Sequence, residues 1–151
     1  MIAVGDRAPD FTLRDQNREE LTLSDFAGAK SVLIVFYPFA FTGTCTGELS
    51  ALRDDLSTYQ NERVQVLTIS PDSFYTHKIF AEREGFEFPL LADYWPHGAV
   101  AQEYGIFNEE VGTANRGTFL VDTAGIVRFA EVLGLGEGRD PRTWKAAIAA
   151  L

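Results

Sequence analysis

Seven consecutive residues, Ser31-Val32-Leu33-Ile34-Val35-Phe36-Tyr37, carry no charge and are dominated by β-branched and aromatic side chains. A strand with one wet face alternates apolar with polar residues. A run without alternation reads as a strand buried on both faces. Such a strand needs other segments packed above and below its sheet, which restricts the chain to layered α/β arrangements. Pro38 ends the run, and a small-residue stretch, Thr42-Gly43-Thr44-Cys45-Thr46-Gly47, follows it. Leu49, Leu52, Leu56 and Tyr59 then recur at intervals of three, four and three, which predicts one amphipathic helix starting close to Cys45.

The rest of the chain supplies the partners that such a strand requires. Phe11-Thr12-Leu13 and Leu21-Thr22-Leu23 flank the polar turn Asp15-Gln16-Asn17 and read as an N-terminal hairpin. Val64 to Ile69 reads as a second buried strand, followed by a helix over Asp72 to Glu84 that stops at Gly85. Phe88 to Leu91 predicts a short strand and Gly98 to Tyr104 a short helix. Residues 117–122 and 126–130 flank Thr123-Ala124-Gly125 and predict a hairpin. Asp140 as N-cap and Pro141 at the first helical position open a last helix with Trp144, Ile148 and Leu151 on one side. The sum is a mixed sheet flanked by helices in one domain over residues 1–151, with the strand order left open.

Thirteen basic against twenty-two acidic residues leave a net charge of −9, which argues against a nucleic-acid partner. The longest uncharged stretch, residues 31–47, is broken by Pro38 and is Thr/Gly-rich in its second half, so it makes a poor membrane span. Met1 to Arg7 lacks the basic and apolar segments of a signal peptide. A lone cysteine excludes a disulfide framework and suits a reducing compartment, so a cytoplasmic location is expected.

Cys45 is that lone cysteine, and it falls where unpaired backbone N–H groups and the helix dipole favour a thiolate. The strand–turn–helix placement sets it apart from an ordinary buried cysteine. Thr42, three residues earlier, is placed to face the sulfur across the turn or to cap the helix. Pro38, Thr42 and Cys45 form the pattern P-x-x-x-T-x-x-C, with Glu48 three residues further on. In these residues the chain resembles the peroxiredoxins, thiol peroxidases with a thioredoxin-like fold. Ala8 to Leu13, Phe88 to Asp93 and Arg116 to Asp122 carry the resemblance across the whole chain. Asn115-Arg116-Gly117 and the single cysteine are most similar to the alkyl hydroperoxide reductase E type. Thr46 departs from the pattern, standing where many relatives have proline, which predicts a less rigid first helical turn.

The resemblance implies a role for each residue. Cys45 attacks a peroxide oxygen and becomes a sulfenic acid. Thr42 hydrogen-bonds the sulfur and the incoming peroxide, and Arg116 holds the thiolate and polarises the O–O bond. Pro38 shields the site from water, and Glu48 orients Arg116 or a neighbouring arginine. No metal, haem or flavin is implied. With no second cysteine, the sulfenic acid must be resolved by an external thiol, and the resemblance suggests a glutaredoxin-like or mycoredoxin-like reductant. The substrates implied are hydrogen peroxide, organic hydroperoxides or peroxynitrite, and family members commonly form homodimers.

Simple magnitudes say where the rate must come from. A cysteine with a pKa near 8.5 is about 7% thiolate at pH 7.4, so complete ionisation gains only about fourteenfold. Lowering the pKa by about three units weakens the nucleophile about twentyfold at a Brønsted slope of about 0.45. The two effects nearly cancel. Fast peroxide reduction therefore needs donors aimed at the departing oxygen, the roles assigned to Arg116 and Thr42.

Two other readings are weighed against this one. A thioredoxin-like disulfide oxidoreductase needs Cys-x-x-Cys, and Thr42 occupies the first of those positions. A non-catalytic thioredoxin-fold interaction domain would leave Cys45 inert. His77 and His97 show no metal-ligand spacing with each other or with Cys45, and neither is expected to be catalytic. Phe39, Phe41 and Trp95 read either as core or as an apolar rim that receives an organic peroxide or a second subunit.

Overall fold

The strand predicted from Ser31 occupies the interior of the sheet. In the computed structural model, which describes residues 1–151, it is β3 (Ser31–Phe36), and all six of its residues are buried. The other sheet strands are β1 (Thr12–Arg14), β2 (Glu20–Thr22), β4 (Val64–Ser70), β5 (Leu90–Ala92), β8 (Arg116–Val121) and β9 (Val127–Leu133). They form one seven-stranded sheet in the order β2-β1-β5-β4-β3-β8-β9. β3 runs parallel to β4 and β4 parallel to β5, whereas β8 and β9 are antiparallel neighbours. The N-terminal hairpin joins this sheet, because Arg14 on β1 pairs antiparallel with Ala92 on β5. β6 (Phe107–Asn108) and β7 (Thr113–Ala114) make a separate two-stranded ribbon that the sequence does not announce.

Alternate residues of β3 feed two different cores. Leu33 and Val35 pack with Cys45, Leu49 and Leu52 of α1 (Gly43–Asp54), Phe80 of α3 (Phe74–Glu84) and Trp144 of α5 (Pro141–Ala149). Val32, Ile34 and Phe36 pack on the other side with Val100 and Ala101 of α4 (Ala99–Glu103), with Phe11, and with Leu23 of a short 3-10 helix, Leu23–Phe26. Helix termini follow the sequence signals. Gly85 closes α3 in the left-handed conformation at φ 71°, and Asp140 caps α5 by accepting from Arg142 N at 3.0 Å. No helix is long and apolar enough to cross a membrane.

Several expectations need correction. The helix predicted through Tyr59 breaks at Asp55, whose backbone leaves the helical region (φ −135°, ψ 37°), and restarts as α2 (Leu56–Tyr59). Asp55 is held there by an ion pair with Lys145 at 2.7 Å and a hydrogen bond from Thr58 Oγ1 at 2.9 Å. Leu151 lies beyond α5 and is exposed, so the buried side of that helix rests on Trp144. β9 runs on to Leu133, three residues past the predicted end, because Glu131, Val132 and Leu133 pair with Thr118, Gly117 and Arg116.

Candidate active site

Cys45 sits in the first turn of α1 with its side chain fully buried. The first intrahelical bond of that turn runs from Thr46 N to Thr42 O at 2.9 Å. The N–H groups of Gly43, Thr44 and Cys45 therefore precede the helical ladder, and no acidic residue lies in the turn to offset their positive end. A proline at position 46 would lack that N–H, so Thr46 adds a bond where the sequence suggested looseness.

Arg116, the first residue of β8, comes from the strand next to β3 and is 3% exposed. Its Nη1 donates to Cys45 Sγ at 3.4 Å and to Glu48 Oε1 at 2.7 Å, and its Nε donates to Leu135 O at 2.8 Å. Both Nη1 hydrogens and the Nε hydrogen are thereby used, while Nη2 makes no hydrogen bond within the protein. Glu48 lies one turn beyond Cys45 on the same face of α1.

Glu48 is shared. Arg139, which sequence reasoning missed, donates to Glu48 Oε2 from Nε at 2.9 Å and to Oε1 from Nη2 at 2.9 Å. Its backbone N–H adds a third bond to Oε2 at 2.9 Å, and its Nη1 reaches Gly117 O and Thr118 Oγ1, both at 3.1 Å. Burial pushes the Glu48 carboxyl up, but hydrogen bonds and charge from Arg139, with Arg116 beyond it, reverse the sign and hold it below its ordinary value. Two guanidiniums against one carboxylate leave one positive charge at the sulfur. The only hint of Arg139 in the sequence is a basic residue directly before a helix cap in a chain short of positive charge. The open choice between Arg116 and a neighbouring arginine resolves as both.

Thr42 and Pro38 are beside the sulfur in different ways. Thr42 Oγ1 does not bond Cys45; it donates to Phe39 O at 2.9 Å, which leaves its lone pairs as acceptors. Thr42 is the N-cap of α1 by position, without a side-chain cap bond. Pro38 is buried, and its carbonyl accepts from Thr113 Oγ1 at 2.7 Å. Pro38, Phe39, Thr42, Arg116 and Leu135 line an entrance cavity of about 220 Å³. A larger cavity of about 590 Å³, lined by Leu13, Tyr75 and Trp95 among others, holds no cysteine. Phe39, Phe41 and Trp95 are exposed, which favours a rim over a core role. His77 is buried away from the entrance and His97 is exposed.

The arrangement joins a nucleophilic sulfur, a cationic donor with a free N–H pair, and a hydroxyl that can only accept. Residues 4–130 match the AhpC/TSA family. The chain belongs to this family. AhpC/TSA proteins are peroxiredoxins, which are thiol peroxidases, and this member carries one cysteine. It is 58% identical over 151 residues to alkyl hydroperoxide reductase E of Mycobacterium tuberculosis (strain ATCC 25618 / H37Rv), covering 100% of this chain and 99% of that protein. It is 37% identical over 150 residues to the selenocysteine-containing peroxiredoxin PrxU of Peptoclostridium acidaminophilum, covering 93% and 72% of the two chains. Among solved structures, peroxidoxin BcpB from Mycobacterium tuberculosis matches with a TM-score of 0.88 at 29% identity, over 100% of this peroxiredoxin and 99% of that chain. Reduced 2-Cys peroxiredoxin from Plasmodium vivax gives the same TM-score of 0.88, over 99% and 82% of the two chains.

Proposed function

We propose that Cys45 is the peroxidatic nucleophile of a one-cysteine peroxidase that is resolved by an external thiol. The observation that carries this reading is the 3.4 Å contact between Cys45 Sγ and Arg116 Nη1 beneath the entrance cavity. The thiolate attacks the nearer oxygen of R–O–O–H, the S–O bond forms as the O–O bond breaks, and the proton stays on the oxygen bound to sulfur. The leaving oxygen departs as an alkoxide or hydroxide and takes a proton from water. Thr42 Oγ1 accepts the O–H of the attacked oxygen, since its own proton is committed to Phe39 O. Arg116 Nη2 donates to the leaving oxygen as negative charge develops there. Pro38 and Phe39 keep water away from the sulfur.

An external thiol then attacks the sulfenic acid, expelling hydroxide and forming a mixed disulfide, and a second thiol releases Cys45. A low-molecular-weight thiol with a glutaredoxin-like or mycoredoxin-like protein is the proposed reductant, supported by the single cysteine and the similarity to alkyl hydroperoxide reductase E. A small organic hydroperoxide, hydrogen peroxide or peroxynitrite suits the entrance. The exposed aromatics Phe41, Tyr75, Tyr94 and Trp95 support a homodimer, and the free thiol supports an antioxidant role in the cytoplasm. The test is rapid mixing with one equivalent of peroxide. One thiol should disappear per chain on a subsecond timescale, and Cys45→Ser should consume none. Substantial turnover by that variant refutes the assignment.

A further inference from the structure

The peptide unit between Phe39 and Ala40 is held at both ends. Its carbonyl accepts from Thr42 Oγ1 at 2.9 Å, and its N–H donates to Asp72 Oδ2 at 2.8 Å. A peptide is planar, so fixing the direction of the N–H fixes that of the carbonyl. The direction of the carbonyl sets the rotamer of the Thr42 hydroxyl. A carboxylate on the N–H also polarises the amide and strengthens its carbonyl as an acceptor.

Asp72 is itself braced. Its Oδ2 accepts from Ser70 Oγ at 2.7 Å, and Ser70 Oγ lies 2.7 Å from His77 Nε2. Ser70 has one hydroxyl proton, and an ionised carboxylate can only accept, so that proton goes to Asp72. His77 Nε2 must then be the donor to Ser70. Burial drives the His77 pKa down to about 4, which keeps the ring neutral with a single N–H to give. Ser70 ends β4 and His77 stands on α3, and both are fully buried, so the brace is anchored in two rigid elements. The trio is not a hydrolase site: Ser70 is inaccessible and histidine donates to it rather than taking its proton.

One more feature says that this turn is held rather than relaxed. Phe41, between Ala40 and Thr42, has φ 69°, a backbone conformation that an aromatic residue rarely adopts. Such geometry persists only where the surroundings over-determine it. The Phe41 ring rests 4.8 Å from Phe80, with the Arg83 guanidinium 5.7 Å above it, and Asp72 supplies the polar restraint.

We propose that Asp72 is a positioning residue for peroxide reduction. Braced by Ser70 and His77, it aims the lone pairs of Thr42 into the entrance through the Phe39–Ala40 peptide. The proposal rests on the peroxidase reading of Cys45 and the acceptor role of Thr42.

The test compares Asp72→Ala with Asp72→Asn. Both hydrogen bonds fall on one Asp72 oxygen, so the asparagine carbonyl can accept both and should rescue. Asp72→Ala should lower kcat/KM for hydrogen peroxide by about tenfold, the scale of one lost hydrogen bond, and Asp72→Asn by less than about threefold. Alkylation of Cys45 by iodoacetamide, which needs no Thr42 acceptor, should not fall in either. The Ala40 amide should exchange slowly in the wild type and the asparagine variant by NMR, and fast in the alanine variant. Combining Asp72→Ala with Thr42→Ala should be no worse than Thr42→Ala alone. If the alanine variant does not fold, Asp72→Glu, which keeps the charge and displaces the acceptor, should show the same peroxide-selective loss. An unprotected Ala40 amide in the wild type, full peroxide activity in the displaced variants, or equal losses toward peroxide and iodoacetamide would overturn the proposal. A wild-type protein inert toward peroxide fails the peroxidase reading instead, and the two failures are told apart in the same assay.

Discussion

Truncating Arg116 to alanine separates holding the sulfur from cleaving the peroxide. The change removes the 3.4 Å donor to Cys45 Sγ and the free Nη2, and leaves Leu135 O without its partner. It does not strand Glu48, which keeps three bonds of 2.9 Å from Arg139. The uncompensated group is then one carbonyl, worth about 1–3 kcal/mol, so the fold should survive. The rate should not. Loss of thiolate explains at most about fourteenfold at pH 7.4, whereas removal of one donor to a developing oxyanion costs about 100- to 1000-fold. Peroxide reduction by Arg116→Ala should therefore fall by about a hundredfold or more even where both proteins are fully ionised. Iodoacetamide has no O–O bond to polarise, and its rate there should change far less. The assay is stopped-flow peroxide reduction beside alkylation, each across pH to its plateau. Equal losses toward both reagents would mean that Arg116 only places the sulfur, and no loss toward either would remove it from the chemistry.

Three further outcomes follow from the buried polar groups. Glu48→Gln should destabilise the fold by about 3–5 kcal/mol, because it leaves two buried guanidiniums without their carboxylate. Since the folded carboxyl is held low, the stability it gives is complete above the unfolded value of about 4.3 and is lost as pH falls through the folded value; urea unfolding should show that acid limb flattened in the variant. His77 has the opposite charge type with the same sign of slope: the unfolded ring takes its proton near 6.5 and the buried one near 4, so the unfolded state binds more protons between them. Stability should fall by roughly 3 kcal/mol across that window on acidification, and His77→Gln should remove most of the fall. Oxidation without added thiol should give, by mass spectrometry, one added oxygen on Cys45 and then two under excess peroxide; a dominant intersubunit disulfide would contradict it.

Local chemistry that repeats or punctuates was readable from the chain. The unbroken apolar run of β3, the Asp140-Pro141 helix start and the Gly85 stop each state their structure in adjacent residues. So does the placement of Cys45, because the strand, turn and helix around it are contiguous. What escaped depends on residues far apart in sequence. Asp55 interrupts a helix whose leucine spacing continues, because Lys145, ninety positions on, takes its carboxylate. Arg139 reaches Glu48 across ninety-one positions, out of a glycine-rich loop with no periodicity to mark it. Thr42 stands on the turn where the spacing puts it, but the sequence leaves its hydroxyl open between sulfur and cap. The proton goes instead to a carbonyl three residues back, because no pattern records rotamers.

The lone positive charge left by Arg116, Glu48 and Arg139 changes partners through the catalytic cycle. It is matched while the sulfur is a thiolate and unmatched once that becomes a neutral sulfenic acid, so the half-oxidised enzyme is the electrostatically unsettled member of the series. That imbalance favours attack by an incoming thiolate, which carries the missing negative charge into the site. A second peroxide produces a sulfinate, and charge is matched again. The dead end therefore resembles the resting state more closely than the working intermediate does. An overoxidised chain should be at least as resistant to heat as a reduced one.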